Sequence, residues 1–306
     1  MTHSCPHVHA ANALQQCPKR TAQARVAAFR QTLQQFGWTD GRNLQIDIRW
    51  SAGDVDQMRK NATDLAALAP DVILGAGNAS VGALLQATRT VPIVFTGLSE
   101  PVERGFIASL ARPGGNTTGF TNLEPTIGAK WLELLKEIAP GTKRVAVMFH
   151  PASSGGMLFA RSAEAAAPKF AVQVVTAPVH GPAEIEEALT MLGREPGGGL
   201  ILPPDGLTPV HRKMIVELTL RYKLPMIGQS REFPRDGSLM SYGVDLNDQY
   251  RQAAAYVDRI LRGEKPANLP VQQPVKFETV INMKTAKALG LRVPDIVRLR
   301  ADEVIE

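Results

Sequence analysis

Gln229–Gly290 reads QSREFPRDGSLMSYGVDLNDQYRQAAAYVDRILRGEKPANLPVQQPVKFETVINMKTAKALG, and the order of its pieces decides the fold. Leu239–Val244 is an apolar, strand-like run. Asn247 and Asp248 stand where they can cap the helix that follows, in which Tyr250, Ala254, Val257 and Leu261 recur at helical spacing and Gly263 falls at the C-terminal cap. Pro266 and Pro270 stop regular structure. Val275, Phe277, Thr279 and Ile281 then alternate as a half-buried strand, and Lys284–Leu289 forms a short helix closed by Gly290. A strand, a helix and a second strand in this order suit a chain that crosses repeatedly between two lobes.

Upstream of this stretch, apolar runs of strand length alternate with longer helical patterns, the signature of parallel sheets covered by helices on both faces. Leu44, Ile46, Ile48 and Trp50 alternate along one strand. Further strands are expected at Asp71–Gly75, Pro92–Thr96, Thr117–Thr121, Arg144–Phe149, Val172–Ala177, Gly199–Pro203 and Pro225–Gln229. Helices are expected at Ala22–Phe36, Asp54–Leu68, Ala79–Thr88, Thr126–Ile138, Ser153–Lys169, Pro182–Leu192 and Pro209–Tyr222. Right-handed crossovers make two doubly wound sheets the simplest topology.

Together with Arg112–Asn122 (RPGGNTTGFTN) and Gly128–Val147 (GAKWLELLKEIAPGTKRVAV), this stretch resembles the solute-binding component of bacterial ABC transporters, in the branch that includes tryptophan-binding-type proteins. The similarity runs over roughly Val26–Glu306. It implies an α/β fold of the type I periplasmic-binding-protein class, with two doubly wound parallel-sheet lobes joined by three hinge crossovers. Those crossovers fall at Thr121–Pro125, Leu239–Asp245 and Leu269–Lys276, with Asn122, Gly243 and Pro274 as hinge residues. Lobe one is expected over 22–121 and 243–271, lobe two over 122–242 and 272–306, and residues 1–21 as an atypical disordered tail.

That tail departs from the family. Met1–Lys19 is polar and His-rich, so no secretory signal is visible in it, and no β-like run precedes the helix at Ala22. The first strand of lobe one is therefore expected to be missing, as a shifted start, a frameshift or a truncation would leave it. Cys5 and Cys17 with His3, His7 and His9 fit no standard zinc spacing, and two cysteines give no disulfide framework, so no metal and no cofactor is expected.

Ligands of open parallel sheets lie beyond the C-terminal strand ends, where helix N-termini converge. At Gly75–Ser80 (GAGNAS), Asn78, Ala79 and Ser80 open a helix that suits a substrate carboxylate, with Asn78 or Ser80 as its cap. Thr96 and Ser99 offer hydrogen bonds, and Glu100 a partner for an ammonium; Ser99–Pro101 reads equally as an ordinary helix start. Asn122 lies at the lobe boundary, contact or turn. Ser153 and Ser154 follow the strand RVAVMF. Asp205 could fix an ammonium or cap the next helix. The resemblance brings Ser230 and Glu232 to the cleft mouth, and Tyr242 could stack on a ligand or pack in the hinge. Gly243 reads as conformational freedom or a bulge, Trp131 as a core residue and Trp38 as loop packing.

Catalysis finds little support: there is no Gly-x-Ser-x-Gly elbow, His-Glu-x-x-His or P-loop, and no catalytic residue is assigned. The chain has 306 residues, 44% hydrophobic, enough for two cores, and a formal charge of +5 spread without runs of like charge, which disfavours a nucleic-acid partner. No stretch reaches the roughly 20 apolar residues of a membrane span. The expected function is therefore a receptor that closes around a small molecule, an amino acid or related small carboxylate, and delivers it to ABC permease subunits. By resemblance it works in the periplasm or cell envelope. An intracellular ligand sensor of the same fold, or an enzyme on a Rossmann-like sheet, is the alternative; the sensor lacks a helix-turn-helix.

Overall fold

The computed structural model describes residues 7–12, 19–51, 54–122 and 126–306. In chain order the elements are β1 His7–Asn12, α1 Lys19–Gln35, β2 Gln45–Trp50, α2 Val55–Ala67, β3 Val72–Ala76, α3 Asn78–Ala87, β4 Ile93–Leu98 and β5 Thr117–Thr121. There follow α4 Ile127–Ile138, β6 Arg144–Phe149, α5 Ser154–Phe170, β7 Gln173–Pro178, α6 Pro182–Gly193, β8 Gly198–Leu202, α7 Arg212–Arg221, β9 Met226–Gly228, α8 Glu232–Arg235 and β10 Met240–Val244. The last are α9 Leu246–Leu261, β11 Phe277–Asn282, α10 Met283–Ala288, α11 Asp295–Leu299 and β12 Glu303–Ile305. Contacts divide the chain into unit 1, Met1–Leu123 with Asp245–Val275, and unit 2, Glu124–Val244 with Lys276–Glu306. The chain thus changes unit at 123/124, 244/245 and 275/276, within a few residues of the three crossovers expected from sequence.

Unit 1 carries a parallel five-stranded sheet in the order β2-β1-β3-β4-β5. β3 and β4 are buried on both faces, which is why VILGA and IVFTGL read as near-continuous apolar runs. The pleat sorts them: Val72, Leu74 and Val94 join Phe29, Leu33, Tyr250 and Val257 on one face, and Ile73, Ile93 and Phe95 join Leu65, Val81 and Leu84 on the other. The amphipathic helices α1 and α9 cover the first face, and α2 and α3 the second.

This sheet corrects the expectation of a missing first strand. His7–Asn12 pairs in parallel with β2 (Val8 opposite Ile46) and with β3 (Val8 opposite Val72), so β1 is present and central. HVHAAN holds one β-branched residue, and its alternation is only Val8 and Ala10 before Ala11 breaks it; ladders on both sides, rather than intrinsic propensity, hold a strand in such a place. Residues 1–6 and 13–18 of the expected tail, with His3, Cys5 and Cys17, lie outside the described residues.

Unit 2 has a seven-stranded sheet, β12-β11-β10-β9-β8-β6-β7. Counted within the unit, β6 to β10 repeat the order of unit 1, second strand, first, third, fourth, fifth. β11 then joins antiparallel to β10, and β12 runs parallel to β11, so this sheet is not wholly parallel as the sequence suggested. Trp131 bears out its reading as a core residue: it is 1% exposed, packs on Phe159 with ring centroids 5.1 Å apart, and donates its indole N–H to the Tyr242 carbonyl at 2.6 Å. Trp38 packs on the α1/α9 core and donates to the Asp258 carboxylate at 2.8 Å.

Two further readings change. The cap of α9 is Asp245, whose carboxylate accepts the Asp248 N–H, so Asn247 and Asp248 lie inside the helix. Gly243 has no positive φ; a Cβ there would stand 1.8 Å from the Gln229 carbonyl oxygen, so close approach of backbone excludes any side chain.

Candidate functional site

In both sheets the strand order reverses between the unit's first and third strands, β1/β3 and β6/β8, and such switch points are where loops diverge and leave a crevice at the strand C-termini. The side chains at these two edges have distinct chemistry.

At the unit 1 edge, β3 leads through Gly77 (φ 78°) into α3. Gly77 is the N-cap and no side chain caps the helix, which corrects the expectation of an Asn78 or Ser80 cap. The reason is that Asn78 Oδ1 accepts the Ser99 backbone N–H at 3.0 Å, while Ser80 is buried. Ser99 in turn donates its hydroxyl to Asn122 Oδ1 at 2.9 Å, and the Asn122 N–H donates to the Leu98 carbonyl at 2.9 Å. Asn78, Ser99 and Asn122, from the ends of β3, β4 and β5, therefore form one connected set. Because a backbone N–H needs an acceptor, the orientation of Asn78 is fixed with its NH2 group as a donor. Donors beside an uncapped helix N-terminus suit a carboxylate, worth about 0.3–2 kcal/mol depending on burial.

Of the other unit 1 candidates, Thr96, Ser80 and Glu100 sit deeper. Thr96 is 1% exposed and its carbonyl accepts the Gly77 N–H at 3.0 Å; Ala79 is exposed on the first turn of α3. Glu100 is buried at φ 54° and opens a series of turns, not the helix that Ser99–Pro101 suggested. Burial pushes its carboxyl above the usual range, against the Arg104 guanidinium 3.8 Å away, which draws it back down.

At the unit 2 edge, Asp205 follows β8 and spans the switch point. Its Oδ2 accepts the His150 backbone N–H at 2.7 Å; its Oδ1 accepts Leu207 N–H at 2.9 Å, Thr208 N–H at 2.7 Å and the Thr208 hydroxyl at 2.8 Å. Both oxygens thus serve the two loops of this edge. Ser153 donates its hydroxyl to the Pro204 carbonyl at 3.2 Å, adding a second tie between the same loops. Ser154 is the first residue of α5, and its side chain lies outside the described residues.

His150 was not among the ligand contacts expected from the sequence. Its Nδ1 accepts the Ala152 N–H at 3.1 Å, so the neutral ring carries its proton on Nε2 and presents a donor. His180 approaches it edge-on with centroids 5.8 Å apart, and Glu184, hydrogen-bonded by His180, has its carboxyl held below the usual range. The signal in the sequence was position alone, the first residue after β6.

Ser230 and Glu232 are not drawn into that set. Ser230 Oγ accepts the Glu232 N–H at 3.4 Å, and Glu232 pairs with Arg235 at 3.6 Å, beside an ion-pair group of Arg231, Glu278 and Glu303. Tyr242 is half-buried with its ring stacked on Phe277, centroids 5.4 Å apart; burial, with Glu133 and Asp302 nearby, pushes its phenol up. Pro274 is half-buried in the segment before β11. Among the described residues no three His, Cys, Asp or Glu side chains gather as a metal site, and no helix is long and apolar enough to cross a membrane.

The chain is similar to proteins of known sequence and structure. A solved domain in complex with L-Trp from Streptococcus pneumonia superposes with a TM-score of 0.86 at 23% identity, covering 99% of this chain and 100% of the other. A conserved domain protein from Vibrio cholerae superposes with a TM-score of 0.84 at 26% identity, covering 98% and 100%. In sequence, a tyrosine-binding protein of Clostridioides difficile (strain R20291) is 26% identical over 276 residues, 90% of this chain and 78% of that protein. The family model for the ABC transporter substrate binding protein matches residues 15–305. The chain belongs to the ABC transporter substrate-binding protein family.

Proposed function

We propose that this chain is a solute receptor that closes around an amino acid, with an aromatic side chain favoured, and hands it to the permease subunits of an ABC transporter outside the cytoplasmic membrane. The single observation that carries the amino-acid reading is the donor set at the end of β3, where the Asn78 amide lies beside an uncapped helix start suited to an α-carboxylate. The relatives named for tyrosine and solved with L-Trp support the same ligand class. Asn78, Ala79, Ser99 and Asn122 are the contacts proposed on unit 1, and His150, Ser153, Ser154, Asp205, Ser230, Glu232 and Tyr242 those on unit 2. Thr96, Ser80 and Glu100 stand behind the unit 1 contacts. Asn122, Gly243 and Pro274 serve as hinge positions in this reading.

The test is mass spectrometry of ligand released from purified protein, followed by calorimetric titration with L-tryptophan, L-tyrosine and the remaining amino acids. The reading expects one amino acid to bind stoichiometrically and to be recovered unchanged. A flat titration for every amino acid overturns the ligand class, and conversion of the ligand overturns the receptor.

A further inference from the structure

Gln249 lies in the first turn of α9, where the chain has just re-entered unit 1, and it is 3% exposed. Its Oε1 accepts the Gly97 backbone N–H at 3.0 Å, and its Nε2 donates to the Thr121 carbonyl at 2.6 Å. These partners lie 152 and 128 residues back along the chain, and both sit where the sheet is irregular. The β4–β5 register shifts between Thr96 and Leu98, with Gly97 at φ 67° as the extra residue, and Thr121 is the last residue of β5. A bulged residue loses its ladder partner, so the Gly97 N–H needs an acceptor from elsewhere.

Satisfying the bulge would require only the acceptor half of the amide. Gln249 also uses its donor half on β5, and so ties together the two strands whose next residues are Ser99 and Asn122. The Leu98 carbonyl accepts the Asn122 N–H, and the Ser99 hydroxyl bonds Asn122 Oδ1, directly beyond these two anchor points. A nearby Gln272 backbone pair, accepting Thr121 N–H and donating to the Gly119 carbonyl at 2.9 Å each, holds β5 from its other side.

We propose that Gln249 is a positioning residue: its amide sets the spacing of the β4 and β5 ends and thereby the placement of Ser99 and Asn122 against the ligand. The proposal rests on the reading that unit 1's strand-end loops take an amino acid.

The experiment compares Gln249→Leu, Ser99→Ala and the double variant in the full chain. Dissociation constants for L-tryptophan and L-tyrosine are measured by calorimetry, alongside urea unfolding and hydrogen exchange at Gly97–Ser99. The expected result is affinity weaker by about tenfold in Gln249→Leu, the size of effect seen when coupling residues are altered, non-additive with Ser99→Ala, and faster exchange at Gly97. Should the leucine variant not fold, Gln249→Glu keeps an acceptor for Gly97 and sets an oxygen, in place of the donor, against the Thr121 carbonyl; its affinity is expected to fall while Gly97 exchange stays slow. Unchanged affinity with lowered unfolding midpoint, or additive losses, makes Gln249 a structural residue only and overturns the proposal. Unchanged Gly97 exchange in Gln249→Leu overturns it whether or not ligand is present. A wild-type chain that binds neither amino acid overturns the ligand reading, and the positioning role with it.

Discussion

Replacing Asp205 by alanine removes four hydrogen bonds from one carboxylate, and the structure says what each leaves behind. Thr208 is 0% exposed, so its N–H and hydroxyl lose an acceptor that water cannot readily replace. The His150 and Leu207 N–H groups belong to half-buried residues, where water can take over. Orphaning a buried donor costs about 1–3 kcal/mol, and rehydrated donors cost far less, so Asp205→Ala should destabilise unit 2 by about 2–4 kcal/mol. Asp205→Asn keeps an acceptor for Leu207 and Thr208 and turns only an NH2 against the His150 N–H. Its loss should be about 1–2 kcal/mol. Urea unfolding of ligand-free protein is the assay, with midpoints compared at constant slope. If alanine falls within about 0.5 kcal/mol of wild type, the range of an inert surface change, or if asparagine is as damaging as alanine, the staple argument is wrong. A pure ligand contact would lose affinity and leave ligand-free stability intact.

Gly243→Ala puts a methyl 1.8 Å from the Gln229 carbonyl oxygen, which forces backbone to move; a loss of about 3 kcal/mol or more in the same unfolding assay is expected, and a neutral outcome would mean the two strands part freely. Glu100 carries a carboxyl raised by burial, so the folded state binds its proton more tightly than the unfolded chain. The extra stability this gives is full below the unfolded pKa and is lost as pH rises through the folded one. Glu100→Gln should therefore remove that decline: measured from pH 3 to 8, the variant should gain on wild type as pH rises, and a variant that loses ground instead would show that the Arg104 pair outweighs burial.

Much of the fold could be read because strands such as β3, β5 and β8 are buried on both faces and bounded by glycine and proline. β5 and β6 fall where the apolar runs put them, and Gly263 and Gly290 take positive φ at the ends of their helices. β1 was invisible because a central strand of histidine and alanine carries no local propensity signal. β12 is three residues long, and the antiparallel entry of β11 follows from a crossover that no local pattern encodes. Within the site, strand-end position exposed Asn78, Ser99, Asn122 and Asp205 as candidates, yet their partners are set by tertiary contact. Asp205 bonds a residue 55 positions away and Gln249 one 152 away, distances over which spacing in a sequence says nothing.

The direct test of the central claim is calorimetric titration of the ligand-stripped chain with L-tryptophan and L-tyrosine, repeated with Asn78→Ala. Saturable binding of at least one of them at one site per chain, weakened about tenfold by Asn78→Ala as loss of a hydrogen bond to a charged group requires, is the predicted result. Heats of dilution alone for both amino acids, or binding that ignores Asn78, would contradict it.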